Sequence, residues 1–235
     1  MFCLESMTSL KPLTWPIVYV KSKYTRPYSH DVEQLFQEYG MAGVHPRILA
    51  TAQDFSRIRQ NYLTDSQIRQ WGDTVIASAD SILAQDTCQY IILDNKRLLN
   101  QCRLVLTRMT ALGLAYQITG DTKYTDRAWL ELEAAGNFPD WNPRHYLDTA
   151  EMTAAFAIGY DWMYDVWEEE PEKRQFIEEA MYRFGVENGL KAYQGKLGSD
   201  GWYVTADHNW NSVCNGGMVM GALALADVYP QQAFE

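Results

Sequence analysis

Apolar side chains recur at steps of three and four along most of the chain, which is the spacing of helices with one buried face. Residues 96–118 give the clearest case, with an apolar face made of Leu98, Cys102, Val105, Met109, Leu112 and Tyr116. The same spacing predicts helices at about 30–39, 51–62, 65–85, 124–135, 148–167, 171–190 and 211–228. No series of strands is predicted, so we expect an all-α fold.

Local signals mark several helix ends and loops. The stretch Asp-Thr-Ala-Glu at 148–151 is typical of an N-cap followed by an acid three residues later. Gly120 should end the helix at 96–118, and Pro171 suits a first helical position. The stretch 191–207 is rich in glycine and aromatic residues, which predicts a loop or a short pair of strands.

The pattern distinguishes two kinds of helix. The helix at 171–190 has one charged and one apolar face, whereas the helix at 211–228 is apolar nearly all round and should be buried on most sides. This alternation suits two concentric layers, with the outer helices in contact with water. Gly216, Gly217 and Gly221 predict close contacts with another helix, because no phosphate-binding motif surrounds them.

Composition and charge exclude several classes of protein. Hydrophobic residues make up 47% of the 235 residues and charged residues 21%, which excludes a disordered or fibrous chain. The formal net charge of −10 argues against binding to nucleic acid or to an anionic membrane, and at first sight against an acidic substrate. Aromatic residues reach 13%, and abundant Trp and Tyr suit sugars, whose C–H faces stack on aromatic rings.

The cysteines bear on cofactors and redox state. Cys3, Cys88, Cys102 and Cys214 are irregularly spaced and form no CxxC pair. This spacing indicates reduced thiols packed as small apolar residues, rather than a disulfide framework or a zinc site. We therefore expect no metal and no cofactor.

The first residues bear on domain organisation and location. Residues 1–44 contain three prolines and predict an irregular segment with one short helix, ahead of a helical domain at 45–235. No signal peptide is predicted, because the start lacks a basic region, which favours the cytoplasm for this chain. The uncharged stretch 208–226 includes several Asn residues and predicts a buried helix with its lead-in, not a membrane span.

Four stretches share their order and spacing with one known family. They are HPRILATAQDFSRIR at 45–59, AYQITGDTKYTDRAW at 115–129, DTAEMTAAFAIGYDWMYD at 148–165 and HNWNSVCNGGMVMGALALAD at 208–227. Together they resemble the heparinase II/III-like polysaccharide lyases, over about 45–235. The resemblance implies an (α/α) toroid of antiparallel helical hairpins and a substrate that contains uronic acid. Family members are often exported, so a periplasmic or secreted location is the alternative.

The resemblance also implies a reaction, β-elimination on an acidic polysaccharide or oligosaccharide. A base removes the proton on C5 of the uronic acid, and the glycosidic oxygen at C4 leaves. Because that proton is barely acidic while the neighbouring carboxylate is charged, hydrogen-bond donors must meet the carboxylate. In the family an Asn or a His serves the carboxylate, and a Tyr and a His handle the protons.

The sequence DHNWN at 207–211 is the best match to such a site, because it lies where a loop meets a helix N-terminus that favours a carboxylate. The resemblance implies that Asn209 neutralises the carboxylate, with Asn211 as the alternative, and that His208 is a donor or the base. Either Asn is equally suited to be an N-cap. Trp210 follows Asn209, whereas family members often have His there, which leaves the base unassigned.

Other candidates would bind the substrate. Trp202, Tyr203 and Trp210 suit either stacking on a sugar or packing in the core. Arg144, in the loop with His145 just before the helix at 148–167, suits either a bidentate bond to a uronate or an ordinary surface position.

The helix at 148–167 carries three more polar candidates. Glu151 is a candidate acid, although its place three residues after Asp148 favours a capping box instead. Tyr160 is a candidate substrate contact. Asp161 lies in an apolar segment, and a buried Asp needs a partner, so it is either a structural tie or part of a binding groove.

Three functions stay open from the sequence. The first is a polysaccharide lyase. The second is a glycoside hydrolase on the same toroid, for which Glu151 and Asp161 are the only paired carboxylates. The third is a non-catalytic glycan-binding fragment, because residues 45–235 are too few for a closed toroid. We therefore expect an incomplete toroid without the family's catalytic Tyr and second His, and little or no lyase activity.

Overall fold

The computed structural model describes residues 29–92 and 94–235, and within them all regular structure is helical. Eleven α-helices occur in these residues, and they contain no strand. In chain order they are Ser29–Glu38 (α1), Ala52–Thr64 (α2), Ser66–Ile82 (α3), Leu99–Thr119 (α4), Lys123–Gly136 (α5), Leu147–Trp162 (α6), Tyr164–Glu169 (α7), Pro171–Ala180 (α8), Glu187–Tyr193 (α9), Asn209–Leu225 (α10) and Pro230–Phe234 (α11). The predicted all-α class is confirmed.

Local chemistry explains where the predicted helices begin and end. The Thr51 hydroxyl accepts the Asp54 backbone N–H at the start of α2, and the Asp54 carboxylate bonds back to the Thr51 N–H, which is a capping box. Gly120 follows α4 with a φ of 71°, the left-handed conformation that glycine adopts without strain. Pro171 is the first residue of α8, as predicted.

Three predicted elements differ from the structure. The helix predicted at 148–167 breaks after Trp162, and its last part is the separate short helix α7. The helix predicted at 171–190 continues through a π-helical turn at Met181–Val186 into α9. The stretch 191–207 forms a 3₁₀ turn at Gly198–Thr205 and no strand pair. Of the segment predicted as irregular, residues 1–28 lie outside the described residues.

Helix α6 is the centre of the molecule. All of its residues except Glu151 are buried, because α4 packs on one side, α10 packs on another, and α5, α8 and the π-helical turn also contact it. Its sequence is rich in Ala, Thr and Gly. Small side chains let the surrounding helix axes approach closely without leaving voids.

Two glycines of α10 allow this close approach. A Cβ atom on Gly217 would overlap the Ala150 carbonyl oxygen of α6, and one on Gly221 would collide with the Thr153 methyl group. Gly216, by contrast, has no atom of another element near its Cβ direction. The prediction of close helix contacts is therefore confirmed for Gly217 and Gly221 and is wrong for Gly216, which lies on the exposed side of the helix.

A buried ionic cluster joins α4 to α5. The Glu131 carboxylate is completely buried and lies 2.9 Å from Arg108 Nη1 and 2.8 Å from Arg127 Nη1. It also accepts the backbone N–H of Cys88 at 2.9 Å. Because a buried carboxylate without partners is very unfavourable, the two guanidinium groups make this burial possible.

The cysteines of the described residues are free thiols. Cys88, Cys102 and Cys214 are buried, as predicted, and Cys3 lies outside the described residues. Burial raises the pKa of the Cys214 thiol to about 12, and it raises that of Cys88 as well. These groups are therefore protonated at neutral pH and are unsuited to nucleophilic chemistry.

One side of α10 is open to solvent. Val213 and Val219 are exposed on it, so this helix is less enclosed than its apolar sequence predicts. An apolar groove of about 310 Å³ runs beside Val219, between α10 and the helices α1 and α11. No helix in the described part of the chain combines the length and the apolar character needed to cross a bilayer.

We predict opposite effects for alanine at two adjacent glycines of α10. Gly217→Ala should lower the free energy of unfolding by about 1–3 kcal/mol, because the new methyl group meets the α6 backbone. Gly216→Ala should raise it by about 0.5–1 kcal/mol, because alanine favours the helix and meets nothing. Urea denaturation of both variants measures the difference, and equal effects at the two positions would contradict the packing of α10 on α6.

Candidate functional site

The N-terminal ends of α6 and α10 lie side by side, and most of the predicted site residues meet there. The His145 ring, just before α6, lies edge-on to the Trp210 ring in the first turn of α10, with 4.9 Å between centroids. Tyr146 stacks on Tyr203 at 4.1 Å, which fastens the 3₁₀ turn to the same place. We call the cluster of Trp202, His208, Asn209, Trp210 and His145 the aromatic–amide site.

The N-cap of α10 is a different residue from the two Asn residues that the sequence offered for this position. His208 is the N-cap, with extended backbone and its Nδ1 3.4 Å from the Trp210 N–H. Neither Asn is therefore the N-cap. Asn211 donates its amide to the carbonyl oxygens of Tyr203 and Val204, at 3.1 and 3.0 Å, so it holds the 3₁₀ turn. Asn209 is exposed, and its amide bonds to no other described residue.

The aromatic side chains of the site divide into accessible and buried ones. Trp202 is 44% exposed, and its ring lies 4.9 Å from that of Trp210 and 5.4 Å from that of His208. Tyr203 is completely buried against Tyr146, and burial raises the pKa of both phenols. Of the two roles open for these rings, Trp202 fits stacking on a sugar, whereas Tyr203 has the core role.

A buried carboxylate lies directly beneath the site. Asp148 Oδ1 is 2.6 Å from His145 Nδ1. Its Oδ2 accepts the Leu98 N–H at 2.6 Å and an Asn142 amide N–H at 2.7 Å. Asp148 therefore binds three donors on two separate loops, and its burial is balanced by those hydrogen bonds.

The capping box predicted for α6 is absent. Asp148 is the second residue of the helix rather than its N-cap, and its side chain bonds away from the helix. Glu151 consequently has no cap to close, and it instead forms a two-pronged ion pair with Arg103 of α4, with distances from 2.9 to 3.2 Å. The favoured interpretation of Glu151 is therefore wrong.

Cations lie near the site although residues 201–235 contain none. Arg144 is exposed and precedes His145 directly. The loop that carries exposed Lys96 and Arg97 is fastened to the same place, because the Lys96 carbonyl accepts a bond from Asn142. Lys96 and Arg97 are not among the candidates predicted from the sequence, since nothing near them in the chain indicates this position.

Tyr160 and Asp161 lie at the other end of α6, away from the aromatic–amide site. Tyr160 is buried and donates its hydroxyl to Glu178 at 2.7 Å. Asp161 accepts the backbone N–H groups of Arg47 and Ile48 at 2.9 and 2.7 Å, besides contacting His45. Asp161 is therefore a structural tie, and with His45 it also lines a pocket of about 260 Å³, so both of its predicted roles stay open. Tyr160 has no exposed surface for a substrate.

Sequence reasoning missed one chemical feature of this end of the helix. His45 was without any signal in the sequence, yet its Nδ1 lies 2.7 Å from Asp161. The usable signal was the charged Asp161 in an otherwise apolar helix, since a buried carboxylate requires a donor from somewhere in the fold.

Known proteins add no family assignment. No protein-family model matches the chain, and no curated protein matches it. The relation to the heparinase II/III-like lyases therefore stays a prediction that rests on the four sequence stretches, and the fold itself is established only as all-α.

We predict that Glu178 makes folding stability depend on pH. Burial raises its pKa above the ordinary 4.5, although the Tyr160 hydroxyl and Arg174 oppose this. The folded chain thus holds the proton to higher pH than the unfolded chain. The contribution of Glu178 to the free energy of unfolding is fully present below pH 4.5, and it is lost as the pH rises through the raised pKa.

Glu178→Gln should therefore lose less stability than the unmodified protein between about pH 4 and about pH 7, as measured by urea denaturation. Glu172→Gln is the matched control, because Glu172 is exposed on the same helix and does not contribute to the raised pKa of Glu178. An identical pH dependence in all three proteins would contradict the raised pKa.

Proposed function

We propose that the aromatic–amide site binds a uronic acid unit of an acidic polysaccharide and promotes β-elimination there. The observation that carries the proposal is the meeting of an exposed indole, a free amide and two imidazoles at the N-terminus of α10. The resemblance of the sequence to the heparinase II/III-like lyases adds the reaction class.

Recognition would use two properties of a uronic acid unit. Its C–H face would stack on the exposed ring of Trp202, in the way that aromatic side chains bind sugars. Its carboxylate would lie at the start of α10, where free backbone N–H groups and the helix dipole favour an anion. Lys96, Arg97 and Arg144 are exposed nearby. The net charge of −10 thus does not exclude an acidic substrate.

The chemistry requires that negative charge be stabilised as the C5 proton leaves. An uncharged amide donor near the carboxylate does this without opposing release of the product. Asn209 fits this role better than Asn211, because the Asn211 amide already serves two carbonyl groups of the 3₁₀ turn. His208 is exposed beside Trp202 and stays the candidate donor for the leaving oxygen.

The glycoside hydrolase alternative loses its support. Glu151 and Asp161 are ten residues apart on one helix, which separates their backbones by about 15 Å at the usual rise of about 1.5 Å per residue. Paired carboxylates in glycosidases lie about 5–10 Å apart. Glu151 is also held by Arg103, and Asp161 is completely buried.

For the fold we propose an (α/α) toroid in which α4, α6 and α10 are neighbouring inner helices. What supports this is that α6 lies between α4 and α10, while α5 packs on both α4 and α8. In a toroid, inner helices alternate along the chain with outer ones, and α5 and α8–α9 fall between the proposed inner helices in the sequence.

We predict that uronic-acid oligosaccharides bind and change the tryptophan fluorescence of the chain. Trp202→Ala should weaken binding by about tenfold or more, if a stacked sugar contributes as much as a nucleic-acid base stacked on an aromatic side chain, about 1–3 kcal/mol. Trp71→Ala is the matched control: Trp71 is 60% exposed on α3, so its loss should leave affinity unchanged.

The same titration with a carboxyl-reduced oligosaccharide tests the acidic substrate. It should bind more weakly than the uronic acid form. Equal affinity for the two forms, or equal affinity of the Trp202→Ala and Trp71→Ala proteins, would overturn the proposal.

We also predict that Asn209→Ala slows removal of the C5 proton by about 100-fold or more, as expected when one donor to developing negative charge is lost. The measurement is deuterium incorporation at C5 of the uronic acid oligosaccharide in heavy water, which does not require cleavage of the glycan. Incorporation at the same measurable rate in the Asn209→Ala and unmodified proteins would remove Asn209 from the site.

A further inference from the structure

Two His–Asp pairs lie at the two ends of α6 and have the same arrangement of hydrogen bonds. His145 Nδ1 lies 2.6 Å from Asp148 at the N-terminal end, and His45 Nδ1 lies 2.7 Å from Asp161 at the C-terminal end. In each pair the second carboxylate oxygen accepts two further N–H groups. All four side chains are at least nine-tenths buried.

The two pairs differ in the surroundings of Nε2, the histidine nitrogen that does not contact the paired carboxylate. His45 Nε2 lies 3.5 Å from the Asp227 carboxylate, and its ring stacks on Tyr164 at 3.9 Å. That imidazole is thus enclosed between two carboxylates and suits a structural role. Within residues 29–92 and 94–235, His145 Nε2 has no hydrogen-bond partner, and the His145 ring lies against Trp210 of the aromatic–amide site.

We infer that His145 is the proton acceptor of the proposed elimination and that Asp148 is its positioning residue. This rests on the proposed function of the same site. The Asp148 carboxylate accepts the Nδ1–H of a neutral imidazole, which leaves the lone pair on Nε2, on the side of the ring away from the carboxylate. His208, the candidate from the sequence, has no carboxylate partner among the described residues.

The surroundings hold Asp148 in one orientation. Asn142 has the left-handed backbone conformation, with φ of 53° and ψ of 60°, which is unusual outside glycine. In that conformation its amide bridges the Lys96 carbonyl and Asp148 Oδ2. Together with the Leu98 N–H, it leaves only Oδ1 for His145.

The proton transfer balances within the chain and its substrate. The Nε2 lone pair takes the C5 proton, and the electrons of the C5–H bond move into the carboxylate as an enolate. The imidazolium that forms is stabilised by the Asp148 carboxylate. In heavy water the imidazolium exchanges its proton with solvent and returns a deuteron to C5, so deuterium incorporation reports this step without cleavage of the glycan.

Asp148→Asn is the decisive variant. Because Leu98 and Asn142 both donate to one oxygen, the new amide must keep its carbonyl there and turn its NH₂ toward His145. Nδ1 then has to accept a bond, and the ring proton moves to Nε2. Nitrogen NMR should show Nδ1 protonated in the unmodified protein and Nε2 protonated in the variant. Deuterium incorporation at C5 of a bound uronic-acid oligosaccharide should fall at least about 100-fold.

Asp161→Asn is the matched control, because it makes the same change in the corresponding pair at the far end of α6. It should alter the His45 signals and leave deuterium incorporation within about threefold of the unmodified protein. A comparable loss in both variants would mean that Asp148 acts only through stability, and it would overturn the positioning role.

His145→Gln serves if Asp148→Asn does not fold, since Gln keeps a donor for Asp148 but has no titrating nitrogen. It should abolish C5 exchange while Trp202-dependent binding persists. Exchange that survives in this variant but is lost in His208→Gln would assign the base to His208 and overturn the inference. Binding without any exchange in the unmodified protein would also overturn it, whereas absence of uronic-acid binding would refute the proposed function itself.

Discussion

The complete enclosure of α6 is the constraint on which the rest of the structure depends. A helix buried on nearly every face has to be narrow, and Ala, Thr and Gly make up much of this one. Its neighbours must also approach closely, which α10 achieves only because Gly217 has no side chain to meet the α6 backbone. The result is a core in which helices α4, α6 and α10 share apolar contacts, and the two buried carboxylates of α6 lie near its ends.

Those helix ends explain where the chemistry lies. Asp148 and Asp161 are both completely buried, so each must bind hydrogen-bond donors from the loops around it. At the C-terminal end the donors come from residues 45–48 and hold the loop before α2. At the N-terminal end they hold the loops at 94–98 and 140–146 against the start of α6, where the His145 ring also contacts Trp210 of α10. Satisfying one buried carboxylate thus assembles the aromatic–amide site.

The charge around each site of this protein depends on nearby side chains, and the formal net charge does not indicate it. The chain carries a formal charge of −10, yet several acidic groups are already neutralised by partners, as Glu131 is by Arg108 and Arg127. The exposed cations Lys96, Arg97 and Arg144 lie at the end of the molecule where the free Asn209 amide and the α10 N-terminus also lie. The same segments also carry the exposed carboxylates of Asp94 and Asp207, so the charge at this end is mixed and differs from the average charge of the surface.

The sequence by itself determined most of the helices and some of their ends, because apolar spacing, Gly120 and Pro171 act within a few residues. It also indicated the start of α10 as a site. Only the tertiary structure decided that Asp148 binds His145 instead of capping α6, and that Gly216 faces solvent while Gly217 faces α6. Asp148 turns away from the helix start toward the nearby His145 and Asn142 and toward the Leu98 N–H, which is 50 residues away, and Gly217 meets Ala150 of another helix. The local pattern does not show which of these groups will supply a hydrogen bond or occupy a space.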